Sequence, residues 1–296
     1  MNAIEFVNEV KDSNICPKDF DKIYVEFKFY QKAALDTLDE FHRVCEKNNI
    51  PYFVQYGSLL GLIRDGGQIP WDYDVDVVVP YSEKANLISA LEKDLGKGFY
   101  YYCIEKNPKC RHMIMRIAPI GYKTESLHVD VFYYIGVPSD EKEREVFVKR
   151  IKKIATTRYY RYVNIFEETR GSIKKFIIYT LRKMMAKLKN MDKLMKEYYD
   201  LCSKYDVYES KYNVSADWFA PVDLFESKDL WETTIIETND GKKLRAPVKY
   251  EKILTQKYKD YKKIFPLKDR LKELMYHYSK LHRQNKDKIE NKKNQI

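Results

Sequence analysis

The stretch Asp74-Val75-Asp76-Val77-Val78-Val79 constrains this chain more than any other. A run this apolar, closed by Pro80, predicts a central strand whose side chains alternate between two faces. Val75 and Val77 then enter the core, and Asp74 and Asp76 share the opposite face with Cα atoms roughly 6–7 Å apart. Two carboxylates aimed into one small volume repel, and each raises the other's pKa unless a cation lies between them. Hard oxygen ligands of this kind suit Mg²⁺ or Mn²⁺, which bind through one or two carboxylates plus substrate phosphates. The alternative is a pair of solvated acids on an exposed edge. It fits poorly, because unpaired acids on a central strand are costly.

A second strand offers a partner. In Leu127-His128-Val129-Asp130-Val131-Phe132, His128 and Asp130 share one face. If the two strands lie close, Asp130 completes a three-carboxylate cluster that can hold one or two metals and orient a hydroxyl for in-line phosphoryl transfer. Asp130 could otherwise be a strand-end turn residue, and His128 a packed, hydrogen-bonded ring. Upstream, Gly57-Ser58 opens a helical segment, and the free N–H groups and dipole at such a start favour a phosphate. Arg64 could grip a phosphate bidentately or serve as a cation at a helix C-terminus.

The surrounding pattern is mixed. Helical periodicity covers residues 29–48 and 83–93, and strand-like runs cover 52–56, 99–105, 112–118 and 127–135, with a turn at Asp65-Gly66-Gly67. Further on, 140–153, 173–195, 250–261 and 268–281 read as helices. Short strands at 234–237 and 243–246 flank Asn239-Asp240-Gly241. From Lys280 the Lys/Asn-rich tail predicts a flexible segment.

Composition narrows the class. With 44% hydrophobic and 33% charged residues, the 296-residue chain can bury a core as one large or two small units. No run approaches the roughly 18–20 apolar residues of a membrane span, and the N-terminus lacks the basic and apolar regions of a signal peptide. Five scattered cysteines make no CxxC pair, which argues against zinc knuckles and disulfide frameworks and for a reduced, cytoplasmic setting. The net charge is +10, and Arg150 to Lys189 supplies it, with twelve basic residues against two acids. No groove-reading motif accompanies that charge, so nucleic acid is not the expected partner. Ile173, Phe176, Ile177, Thr180, Leu181, Met184, Met185 and Leu188 form a helical stripe with lysines and arginines alongside. Such a helix can lie on an anionic membrane, leaving the protein peripheral on its inner face, or can cover a domain with its basic side in water.

The block from Gly57 to Asp76, GSLLGLIRDGGQIPWDYDVD, followed by HVDVF around Asp130, resembles the LicD family of phosphocholine transferases and their fukutin-related kin. A looser likeness runs through Pro247, Tyr250, Leu254, Tyr258, Asp260, Tyr261 and Pro266. The resemblance implies an α+β fold: a nucleotidyltransferase-like mixed sheet flanked by helices, with a mainly helical C-terminal part. It implies a catalytic core over 1–137, a basic helical segment over 138–212, a region over 213–279 completing the cleft, and the tail over 280–296. The implied reaction is Mg²⁺-dependent transfer of phosphocholine from a CDP-alcohol donor to a hydroxyl of a surface glycan or lipid-linked glycan, with release of CMP. Ribitol or glycerol phosphate, or nucleotidyl transfer from a triphosphate, are the alternatives. By this likeness Asp74, Asp76 and Asp130 hold metal and do catalysis, and Gly57, Ser58, Arg64, Trp71, Asp72, His128 and Tyr250 contact substrate. A choline cage would draw on Trp71, Trp218, Phe219, Trp231 or Tyr250. Three positions depart from the family pattern: Tyr73 for an acid, Asp65 for a histidine, and Lys259 for a glycine.

Overall fold

A computed structural model describes residues 1–123, 126–217 and 223–293, with side chains through residue 284. In chain order the elements are α1 (Ala3–Lys11), α2 (Phe20–Lys47), β1 (Phe53–Val54), α3 (Tyr56–Arg64), β2 (Val75–Pro80), α4 (Lys84–Asp94), β3 (Phe99–Tyr102), β4 (Met115–Pro119) and β5 (Val129–Val137). There follow α5 (Glu141–Tyr162), α6 (Ile165–Glu168), α7 (Ile173–Lys187), α8 (Met191–Cys202), β6 (Tyr212–Ser215), β7 (Phe225–Glu226), β8 (Thr233–Glu237), β9 (Lys243–Pro247), α9 (Tyr250–Tyr258) and α10 (Leu267–Lys293).

β5 organises the molecule because its residues are buried on both faces for most of its length. β2 runs parallel to it on one side, with β1 antiparallel beyond. On the other side its first residues pair with β4, which carries β3, and its last four pair with β6, which carries β7. The result is a seven-stranded mixed sheet, with β8 and β9 as a separate hairpin. Helices flank the sheet, and the C-terminal part is mainly helical apart from that hairpin.

α2 supplies the largest helical face of the main core. It starts at Phe20 rather than at residue 29, because Phe20, Tyr24 and Phe27 continue the buried stripe of Ala34, Leu38 and Phe41. A second apolar cluster joins the end of β5 and Val214 of β6 to α5 and α8. The predicted 173–195 helix is two helices. Asn190 accepts a hydrogen bond from the Lys193 N–H and restarts the chain as α8.

The last helix is longer than the predicted 268–281. α10 continues through Lys293, and Leu271, Leu274 and fully buried Leu281, all within the predicted span, hold it to the core. The Tyr278 hydroxyl donates to Glu26 of α2 at 2.7 Å. None of the helices among the described residues is long and apolar enough to cross a membrane.

Candidate active site

Strand register builds the site. In the parallel β2–β5 pair Asp76 lies directly beside Asp130, and in the antiparallel β4–β5 pair Asp130 lies beside Arg116. Paired residues project to the same face, so Asp76, Asp130 and Arg116 form a row across three strands. Val75, Val77, Val129 and Val131 go to the other face and are buried there. Asp74, exposed, sits one residue before β2.

The charges in this row are unequal. Burial raises the Asp76 carboxyl well above the ordinary range, and the charges of Asp130, Asp74 and Asp72 push it further, opposed by Lys257 of α9. Burial acts on Asp130 in the same direction. There, however, Arg116 Nε donates to Oδ1 at 2.9 Å and His128 Nε2 lies 3.3 Å from the same oxygen, and together they hold Asp130 well below the usual range. Asp130 is therefore a fixed anion, while Asp76 is an acid short of positive charge.

Asp72 is the next carboxylate. Its Oδ1 accepts the Asp74 N–H at 3.0 Å. Its carboxyl is pushed up to about 7 by burial and the Asp74 charge, against the pull of His277. His277 comes from α10, with Nε2 3.7 Å from Asp72. Burial disfavours its cation, yet Glu273, Asp72 and Asp74 outweigh that and raise it above the ordinary histidine range. Among the described residues, the three-membered set of ligating side chains whose donor atoms all lie within 4.8 Å of one another is Asp72, Asp74 and His277. The predicted set of Asp74, Asp76 and Asp130 shares a face without forming such a group, because Asp130 is drawn to Arg116 and His128.

The remaining predicted residues divide by position. Gly57, in the first turn of α3, lies against Asp72: a Cβ there would stand 3.2 Å from Asp72 Oδ2. The start of that helix thus faces a carboxylate, the sign its dipole favours. The Ser58 hydroxyl accepts the Asp76 N–H at 2.8 Å and fixes the height of β2 relative to α3. Tyr56, just ahead, is held at φ 53°, a costly conformation for a side chain of its size. Gln31 of α2 donates to the Ile69 carbonyl at 2.9 Å and to the Asp72 carbonyl, pinning the loop that delivers the acids.

Arg64 and Trp71 are not presented to this face. Arg64 donates through Nε and a terminal nitrogen to Asp65 at 3.0 and 2.7 Å, and its side chain is buried. Trp71 is buried between the Arg64 and Arg270 guanidiniums, against the Phe6 ring at 5.2 Å. Tyr250 starts α9, half-buried against the main core. Trp231 packs on Phe53 and donates to Asn213 at 2.6 Å. Trp218 and Phe219 lie outside the described residues.

Four functional candidates escaped the sequence reading. Arg116 sits in Met115-Arg116-Ile117, an apolar–cation–apolar alternation that carried the signal. Lys257 pairs with Asp223 and stands 4.8 Å over the Tyr56 ring. His277 and Lys280, whose Nζ donates to the Tyr73 hydroxyl at 3.2 Å, come from a helix far along the chain, and no local pattern marks them.

Residues 49–171 match the family described as LicD/FKTN/FKRP, nucleotidyltransferase domain. Over 255 residues the chain is 26% identical to the lipopolysaccharide cholinephosphotransferase LicD of Haemophilus influenzae, covering 81% of this chain and 92% of that protein. It is 36% identical over 77 residues to an uncharacterized protein of Rickettsia prowazekii, covering 25% of this chain and 29% of that one. With a counterpart from Rickettsia typhi it shares 32% identity over 75 residues, 24% of each chain. The matched segment contains α3, β2, β4 and β5 whole, and with them Asp72, Asp74, Asp76, Arg116 and Asp130, so the likeness to the LicD family spans the aspartate site.

Proposed function

We propose that this enzyme transfers phosphocholine from CDP-choline to a hydroxyl of a cell-surface glycan, such as lipopolysaccharide, and releases CMP. The observation that supports this best is the β2–β5 register, which sets Asp76 beside Asp130 with Asp74 and Asp72 just ahead on the same approach. Clustered hard oxygens, two of them on carboxyls raised by burial and mutual repulsion, fit a divalent cation such as Mg²⁺. Asp74 and Asp76, assisted by Asp72, would hold it. A divalent ion bound there supplies neutralisation of the donor's pyrophosphate charge.

The protein's own groups divide the remaining work. Asp130 is too strongly ionised to be an effective base, so its part is to steer His128 by engaging Nε2. The His128 Nδ1, buried and without a hydrogen-bond partner among the described residues, is then the ring's proton acceptor. In the transfer a bond forms between the glycan oxygen and the choline-bearing phosphorus, the bond from that phosphorus to CMP breaks, and the glycan proton passes to the histidine.

The test is a panel of CDP-choline, CDP-ribitol, CDP-glycerol and nucleoside triphosphates with Mg²⁺ and a glycan acceptor, scored for CMP and pyrophosphate. CMP from CDP-choline is expected, and Asp76→Asn should remove it while the fold persists. CMP from another CDP-alcohol alone would change the transferred group. Pyrophosphate from a triphosphate, or full turnover by Asp74→Asn/Asp76→Asn in excess Mg²⁺, would refute the reading.

A further inference from the structure

α7 carries its apolar residues on the wrong side for a helix whose purpose is to cover a core. Its docked face includes Tyr179, whose ring meets Tyr160 at 5.2 Å, Arg182, which donates to the Tyr160 hydroxyl, Ala186, and Lys183, whose Nζ donates to the Val163 carbonyl at 2.6 Å. At about 100° per residue, Ile173, Ile177, Leu181, Met184 and Leu188 centre on a line roughly opposite that face. They are correspondingly open: Ile173 is 81% exposed, Ile177 53%, Leu181 57% and Leu188 86%. Phe166 of α6, also exposed, packs its ring 5.6 Å from Phe176 and extends the patch past the helix start.

The charges along α7 and its flanks share one sign, the acids Glu167 and Glu168 of α6 lying just ahead of them and Glu168 pairing with Arg111 at 2.8 Å. From Thr169 to Met191 there are seven basic residues and no acid. On the helical wheel Lys175 and Lys189 fall along one border of the apolar stripe and Lys187 along the other, with Lys174 inside it, while Arg182 is turned to the Tyr160 hydroxyl. Long cationic side chains at such borders bury their stems and keep their heads at the level of anionic headgroups. A nucleic acid would engage these cations but would have no use for a stripe of isoleucine, leucine and methionine. A soluble protein partner would need an acidic collar to match.

We infer that the α6–α7 face docks the protein on an anionic lipid bilayer, with α7 lying in the interface plane. Apolar burial and headgroup attraction act together there, and nothing in α7 spans the bilayer. The inference stands apart from the donor chemistry, because none of these residues belongs to the aspartate site.

The full chain is tested by co-sedimentation with vesicles of phosphatidylcholine alone and with about one-third phosphatidylglycerol. Binding to the anionic vesicles is expected, with far less to the neutral ones. Ile177→Glu/Leu181→Glu should lower the partition coefficient by more than about tenfold. Lys174→Glu/Lys175→Glu should lower it and flatten its salt dependence. Both variants change exposed positions, and an unchanged melting temperature with unchanged turnover on a soluble acceptor shows that fold and site persist. The inference is overturned by absent binding to anionic vesicles or by equal binding of wild type and Ile177→Glu/Leu181→Glu. It is equally overturned by a solution dimer that this double variant dissolves while vesicle binding is nil.

Discussion

Arg116 offers the sharpest probe of how the aspartate row is held. Its Nε lies 2.9 Å from Asp130 Oδ1, and the two side chains are 12% and 19% exposed. At an effective dielectric of about 20, unit charges at that separation attract with a gross energy of ~6 kcal/mol. Desolvation offsets much of that, and removing one partner of a well-buried pair costs about 3–5 kcal/mol because the other charge is left uncompensated. Two features lower the figure here: partial exposure admits solvent screening, and His128 remains against the same oxygen. Arg116→Met keeps the aliphatic bulk and should therefore cost about 2–3 kcal/mol at neutral pH. In an Asp130→Asn background there is no anion to strand, and the same change should cost under about 1 kcal/mol. Urea denaturation of the four proteins closes the cycle. Equal cost in both backgrounds, within about 0.5 kcal/mol, would show that Arg116 acts through packing alone and would refute the picture of Asp130 as an anion held by its neighbours.

Three further changes test other parts of the structure. Asp76→Asn removes a buried carboxyl whose ionisation is opposed by burial and by three acidic neighbours, so in chelator-containing buffer it should raise stability by about 1 kcal/mol while turnover is lost. A lower melting temperature would count against the repulsion. Lys259 holds φ 59° and ψ −101° at the end of α9, a region that glycine enters freely, and its side chain is exposed. Lys259→Gly should gain about 1 kcal/mol in thermal unfolding. At Gly61 a Cβ would lie 2.5 Å from the Gly67 carbonyl oxygen and 3.0 Å from the Ile69 nitrogen, both backbone atoms. Gly61→Ala should cost about 2 kcal/mol or more, and wild-type stability in that variant would show that the loop yields freely.

Local pattern made β2 and β5 readable, since valine alternating with acid admits few other conformations. It made the β8–β9 hairpin readable too, through Asn239-Asp240-Gly241. It could not set the neighbour relations: that β2 and β5 run parallel, and that β4 delivers Arg116 to Asp130, depends on chain crossings no local pattern encodes. α1 was missed although Asn2 and Glu5 cap each other's backbone N–H groups, a signal present in the sequence. The phosphate role expected of Arg64 rested on its charge and helix position, and Asp65, the adjacent residue, occupies it instead. Leu271, Leu274 and Leu281 made the helix over 268–281 readable, and the polar composition after them gives no local sign that α10 runs on through Lys293. For α7 the amphipathic stripe was plain, but only the docked positions of Tyr179 and Ala186 reveal that the greasy side faces away.

The side-by-side pairing of Asp76 with Asp130 also limits how a gene for such a domain can drift. Side chains on a strand alternate, so one codon inserted into or lost from β5 ahead of Asp130 would swing that carboxylate into the layer now filled by Val77 and Val131. Indels can accumulate in the connections on either side of these strands, where backbone length is cheap. Within the first residues of β5 they cannot, and descendants that keep the chemistry must keep this spacing to the residue.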